Sequence, residues 1–191
     1  MMTRKSFILL AALFGLSGCA AIVVGGATVG AVSMAEDKRP VSVQIDDTTW
    51  QSKIAWALTN APEVDEHCNI NVYVNNGTVL LTGQAPTEIL KKQAEELARK
   101  SSPATKIHNQ IRVAEPTAIT TRAHDAWLSS KVQAKLYGTK EVNAFQMEII
   151  IEDSEVFLMG QVTSLQAQKA VELARNVGGV VKVVNAFEIV E

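Results

Sequence analysis

The hydrophobic and polar positions of this chain form one pattern written twice. Val79-Leu80-Leu81-Thr82-Gly83-Gln84-Ala85 is an apolar, β-forming run that meets a glycine, and it recurs 77 positions later as Val156-Phe157-Leu158-Met159-Gly160-Gln161-Val162. Each run is followed by a stretch of helical character. Ahead of the runs, Lys53-Ile54 with Ala57-Leu58 answers Lys131-Val132 with Lys135-Leu136, and the alternating Ile70-Asn71-Val72-Tyr73-Val74 answers Met147-Glu148-Ile149-Ile150-Ile151. Behind them, Glu96-Leu97-Ala98-Arg99 answers Glu172-Leu173-Ala174-Arg175, and Ile107-His108-Asn109-Gln110-Ile111 answers Val183-Val184-Asn185-Ala186-Phe187. The offset drifts only between 78 and 76, so one supersecondary unit has been duplicated into two small domains.

The second copy reads as a helix capped by Asp125 and running to about Leu136, then strands over 146–152 and 155–159 joined by a tight turn at Asp153-Ser154. Asn76-Gly77 is the corresponding turn of the first copy and a strong hairpin signal. A helix over 164–177, ended by Gly178-Gly179, and a last strand over 181–190 complete an αββαβ order. Alternating strands and helices with one apolar stripe predict an α+β fold, each copy a small three-stranded mixed sheet packed on two helices. The domains are expected at 46–115 and 123–191, joined by a linker at 116–122, with ordered structure starting near Asp46. A unit this short buries only about 60% of its unfolded surface and gains modest stability. Gly83 and Gly160 are read as structural turn positions between strand and helix that need positive φ or close backbone approach. In the first copy Ser102-Pro103-Ala104-Thr105 stands where the second has its glycine-valine turn, so that helix should end differently.

The N-terminus departs from this pattern. Thr3-Arg4-Lys5 is basic, residues 7–16 are apolar, and Leu16-Ser17-Gly18-Cys19 puts small residues before a cysteine. Residues 1–18 thus read as a secretory signal ending in a lipobox, with Cys19 as the lipid-modified (diacylglyceryl, palmitate-bearing) first residue of the mature protein. An ordinary cleaved signal is the alternative. The apolar segment is shorter than the roughly 20 residues a membrane-spanning helix needs. Ala20, not Asp, follows Cys19, as in lipoproteins sorted to the outer membrane. Residues 19–45 read as a tether; the spacing of Gly26 and Gly30 also suits close helix packing in a membrane. Removing Arg4 and Lys5 takes the net charge from −2 to −4, which argues against nucleic-acid binding.

Signatures of catalysis are missing from the sequence: there is no metal-ligand spacing, P-loop, nucleophile elbow or carboxylate pair. His67, His108 and His124 are scattered, and Cys68 beside His67 lacks a third orienting group, so neither enzyme activity, metal nor cofactor is expected. What remains is surface recognition. On the first helix of the second copy Leu128, Val132 and Leu136 form the core stripe, while Trp127, Ser130, Ala134 and Tyr137 share the opposite face with Lys131 beside them. Amphipathic rings next to a lysine suit a phospholipid membrane surface. The alternative has Trp127 packing against the other domain or the linker. The corresponding face of the first copy, Thr49, Ser52, Trp56 and Thr59 with Lys53, is more polar, and Trp56 is expected to pack between the domains.

The αββαβ order, the strand reaching Gly160, the Ala174 helix and Gly179-Val180-Val181-Lys182-Val183-Val184-Asn185 together resemble a BON domain. Two such units behind a lipobox resemble the dual-BON outer-membrane lipoproteins. The resemblance implies a lipid-anchored protein of the outer membrane, facing the periplasm, that binds phospholipid of its inner leaflet, helps maintain envelope integrity and gathers where the cell divides. It also implies support of the machinery that assembles outer-membrane proteins. A competing expectation is a protein-interaction or chaperone-like module that docks a partner on the Trp127 face.

Overall fold

The structure is a computed structural model that describes residues 41–117 and 119–191. The signal segment, the Cys19 lipidation motif and the tether up to residue 40 lie outside them. The last residues assigned to the tether are instead the first turns of a helix, α1 (Val41–Thr59), which begins ahead of Asp46. A short α2 (Pro62–His67), the hairpin β1 (Asn69–Asn75) and β2 (Thr78–Ala85), α3 (Glu88–Ser101), and β3 (Lys106–Asn109) with β4 (Arg112–Val113) complete the first copy. The second copy comprises α4 (Ile119–Tyr137), a 3-10 turn Ala144–Gln146, β5 (Met147–Glu152), β6 (Glu155–Val162), α5 (Ser164–Arg175) and β7 (Lys182–Ile189).

In both copies the middle strand pairs antiparallel with the first and parallel with the last, giving the mixed sheet the sequence predicts. The first copy breaks its last strand in two. There the Asn109 side chain accepts from the Ile111 N–H, whereas the equivalent Asn185 accepts from the Phe187 N–H without interrupting β7. Helix ends follow local chemistry. Thr87 caps α3, and Thr163 with Gln166 forms a capping box on α5. Ser102 is extended because it precedes Pro103, so α3 stops there. The second-copy helix stops at Arg175, ahead of the glycines expected to end it.

Asp125 is not a helix cap. It sits within α4, 8% exposed, and accepts the backbone N–H groups of Asp153 and Ser154 at 2.6 and 2.8 Å. Asp47, 78 residues earlier on α1, accepts those of Asn76 and Gly77 at 2.7 and 2.9 Å. Both turn pairs have positive φ, 50 and 74° in the first copy and 55 and 64° in the second. This is the primed geometry that joins twisted strands, and three of its four residues here carry a side chain that disfavours it. A buried carboxylate satisfying both donors offsets that strain and ties each helix to its hairpin.

Gly83 and Gly160 lie inside β2 and β6, which run on to Ala85 and Val162 and do not end at the glycine. Their φ values are 107 and 130°, and a Cβ would clash with the carbonyl oxygens of Asn69 and Gln146 on the neighbouring strand or turn.

Each copy buries its own core between helices and sheet. Ile54, Leu58, Val79, Leu81, Ala94 and Ala98 centre the first, and Leu128, Val132, Leu136, Leu158, Ala170 and Ala174 the second. The alanines let α3 and α5 lie close on the strands. The other faces of the two sheets meet in a third cluster, in which Leu80 and Tyr73 pack with Ile150, Phe157, Met159, Val184 and Ala186. Around it, Asn71 and Gln84 donate to Glu152, Asn75 to Glu148 and Asn76 to Glu188, at 2.8 to 3.4 Å. Arg112 pairs with Asp153 at the margin. The described residues thus form one compact unit of four layers, helices, sheet, sheet and helices.

Replacing Asp125 by Ala strands two turn donors, and the loss of hydrogen bonds to a charged acceptor is expected to destabilise the second copy by about 2–3 kcal/mol, read from urea unfolding. Gly160→Val meets both the positive φ and the Gln146 carbonyl, so its expected outcome is an unfolded or loosened second copy; an unchanged melting temperature would contradict this.

Candidate functional site

The site expected on the first helix of the second copy is α4. Its Leu128, Val132 and Leu136 are fully buried, which turns Trp127, Ser130, Ala134 and Tyr137 outward, all exposed, with Trp127 at 54%. Three neighbours of the Trp127 ring belong to its own copy. His124 is 5.5 Å away between ring centroids, the Lys131 ammonium lies 4.3 Å over the ring, and Gly179 passes beside it, where a Cβ would come within 3.9 Å of the ring. Packing against the first copy or the linker is not what these neighbours provide.

Lys131 does more than flank the ring. Its ammonium also donates to the Gly178 carbonyl at 2.9 Å, so it ties α4 to the loop before β7 and is only half available to an outside phosphate. The Ser130 hydroxyl turns back to the Ala126 carbonyl at 3.2 Å. At the other end of the face Tyr137 packs on Phe145 at 4.9 Å, and burial raises the Tyr137 hydroxyl pKa above its usual value. Phe145 is an exposed ring that the sequence reading missed, because it sits in the 3-10 turn outside any helical period. The result is a strip with aromatics at both ends, one engaged cation and small residues between, which suits contact with a surface more than a reaction.

On the first copy, Trp56 is 69% exposed and lines an open groove on α1, contrary to the interdomain packing expected for it. Trp50 is the tryptophan of that copy that packs against the core, beside Gly77.

The other side chains with reactive chemistry lie in the first copy or between the copies. Cys68 caps α2 and is half-buried, and burial raises its thiol pKa, the opposite of an activated nucleophile. His108 pairs in register with Leu80 and so faces the interdomain layer; burial, with Lys106 adding to it, lowers its pKa and favours the neutral ring. A cleft of about 390 Å³ between the copies is lined by Tyr73, Arg122, Glu148 and Glu152. There burial raises the Tyr73 pKa, and the two glutamates reinforce it. Among the described residues no cluster of His, Cys, Asp and Glu is arranged to hold a metal.

Comparison with known proteins agrees with this architecture. The BON domain family model matches residues 46–115 and 124–191. The outer membrane lipoprotein DolP of Haemophilus influenzae is 34% identical over 188 residues, 98% of this chain and 97% of the relative. A protein named 21 kDa hemolysin, from Actinobacillus pleuropneumoniae, is 37% identical over 155 residues, 81% of this chain and 80% of its own length. Among solved structures, the C-terminal domain of CdsD from the type III secretion system of Chlamydia trachomatis aligns at a TM-score of 0.30 and 14% identity, covering 76% of this chain and 67% of that one, a likeness too slight to inform function. With both copies matched and a relative aligned almost end to end, the chain belongs to the BON-domain family, as a two-BON protein of the DolP type.

Proposed function

We propose that this protein is a lipoprotein of the outer membrane, facing the periplasm and anchored through Cys19, which binds phospholipid through the α4 face and helps maintain the integrity of that membrane. The relative named outer membrane lipoprotein DolP and the lipobox support the location. One observation carries the binding: α4 turns a half-exposed tryptophan and an exposed tyrosine away from the core on one face. Such rings settle at headgroup depth, where their apolar bodies leave water and their polar edges keep it. Among the described residues no helix is long and apolar enough to cross a membrane.

The contact itself is weak. The body is net negative, and Lys131 is partly engaged by Trp127 and Gly178, so attraction to anionic lipid depends on one shared cation and ring insertion. The acyl anchor compensates by holding the domain beside the bilayer at high effective concentration. Enrichment at the division site and support of outer-membrane protein assembly rest on the family resemblance. A protein partner docking on the same face is the competing reading, favoured by the enrichment of aromatic residues at interface hot spots.

Co-sedimentation of residues 20–191 with vesicles tests this. Anionic vesicles are expected to bind more than zwitterionic ones, Trp127→Ala to weaken binding about tenfold, roughly 1.4 kcal/mol, and Trp127→Phe to retain most of it. Vesicle binding unchanged by Trp127→Ala would overturn the reading. Equal loss with Phe would point to a shaped protein pocket.

A further inference from the structure

The outward face of α1 is the counterpart of the α4 face but not its copy. Between α1 and the end of α3 runs an open groove of about 570 Å³, lined by Thr48, Thr49, Ser52, Lys53, Trp56 and Ser101. The sequence makes this face look polar. Its hydrogen bonds make it apolar: the hydroxyls of Thr48, Thr49 and Ser52 donate to the carbonyls of Gln44, Ile45 and Thr48 at 2.8, 2.7 and 2.9 Å. With their protons turned into the helix, these hydroxyls have no donor left for the groove, and the exposed Trp56 ring adds apolar surface beside them. Lys53, exposed at the same groove, has no ion pair or hydrogen bond with any described residue, unlike Lys131.

An apolar trough with an aromatic side and one unpaired ammonium complements a hydrocarbon chain that ends in a single negative charge. The volume lies within the roughly 300–1,000 Å³ range of small-molecule sites. The layered architecture decides between a bilayer and a single molecule. α1 and α4 lie in opposite outer layers, so a flat membrane resting on the α4 face leaves this groove pointing away from it. We propose that the α1–α3 groove binds one single-chain anionic amphiphile, a fatty acid or lysophospholipid, with its chain along Thr48, Thr49 and Ser52 against Trp56 and its carboxylate or phosphate on Lys53. The first copy would then hold a lipid monomer on the side of the protein remote from the membrane.

The test is an amide NMR titration of residues 20–191, which retain the whole compact unit, with dodecyl phosphate and dodecanoate below their micelle concentrations. Dodecyl maltoside, with the same chain and no charge, and inorganic phosphate alone are the controls. Expected are saturable shifts at amides 48–57 and 101 and at the Trp56 indole N–H with the two anions, and the tighter of the two identifies the head group. Affinity should fall about tenfold with Lys53→Gln or with the maltoside, phosphate alone should give no shift, and Trp56→Ala should abolish binding while leaving the rest of the spectrum in place. Trp127→Ala should leave these shifts intact, which separates the groove from the α4 face whether or not that face binds lipid. Shifts centred on Trp127 and Tyr137, equal binding of maltoside and anion, shifts with phosphate alone, or no saturable shift at all would each overturn the assignment, the last leaving the groove to a macromolecular partner.

Discussion

Two buried carboxylates hold this fold in register. Asp47 and Asp125 each accept both N–H groups of a turn whose backbone is left-handed, and each does so from the face of a helix. The bond fixes the rotation of the helix over its hairpin, because a carboxylate on one turn of α4 leaves its neighbours no choice of direction. Leu128 then falls inward and Trp127 outward. Exposure of the aromatic strip is therefore a consequence of how the helix is pinned.

The second constraint lies between the copies. Their sheets pack through a small apolar cluster, but the polar border around it is asymmetric: the first copy supplies the amides of Asn71, Asn75, Asn76 and Gln84, and the second the carboxylates of Glu148, Glu152 and Glu188. Amide donors meeting carboxylates form charge-assisted bonds, whereas two second copies joined in the same way would bring glutamates together. The duplicated unit has diverged so that amides on one copy meet carboxylates on the other. That pairing consumes one face of each sheet and leaves the helical layers outermost, with α4 and α1 free to meet different surroundings.

Much of this was legible in the sequence. The repeat, the strand alternation, the Asn76-Gly77 turn and the Leu128, Val132, Leu136 stripe are periodic signals, and periodicity survives folding. What escaped depends on contacts between distant segments. Asp125 looked like a cap because the same side chain serves caps and tertiary clamps; the signal that separates the roles was the recurrence of Asp at position 47. The strands pass through Gly83 and Gly160 because a residue without a Cβ admits the neighbouring carbonyl and does not have to end the strand. The sequence points Trp56 to the interdomain layer because the polar border of that layer, Asn, Gln and Glu, reads as an ordinary solvent face. The turned-in hydroxyls of α1 and the divided loyalty of Lys131 have no sequence signature.

The central claim is that one pole of the molecule, the α4 face, meets the membrane. Paramagnetic broadening of amide signals by anionic lipid nanodiscs that carry a spin label at headgroup depth measures this directly, with residues 20–191 in solution. The expected result is broadening concentrated on residues 127–137 and Phe145, with α1 and its Trp56 indole spared. Uniform broadening, or broadening strongest at α1, would contradict it.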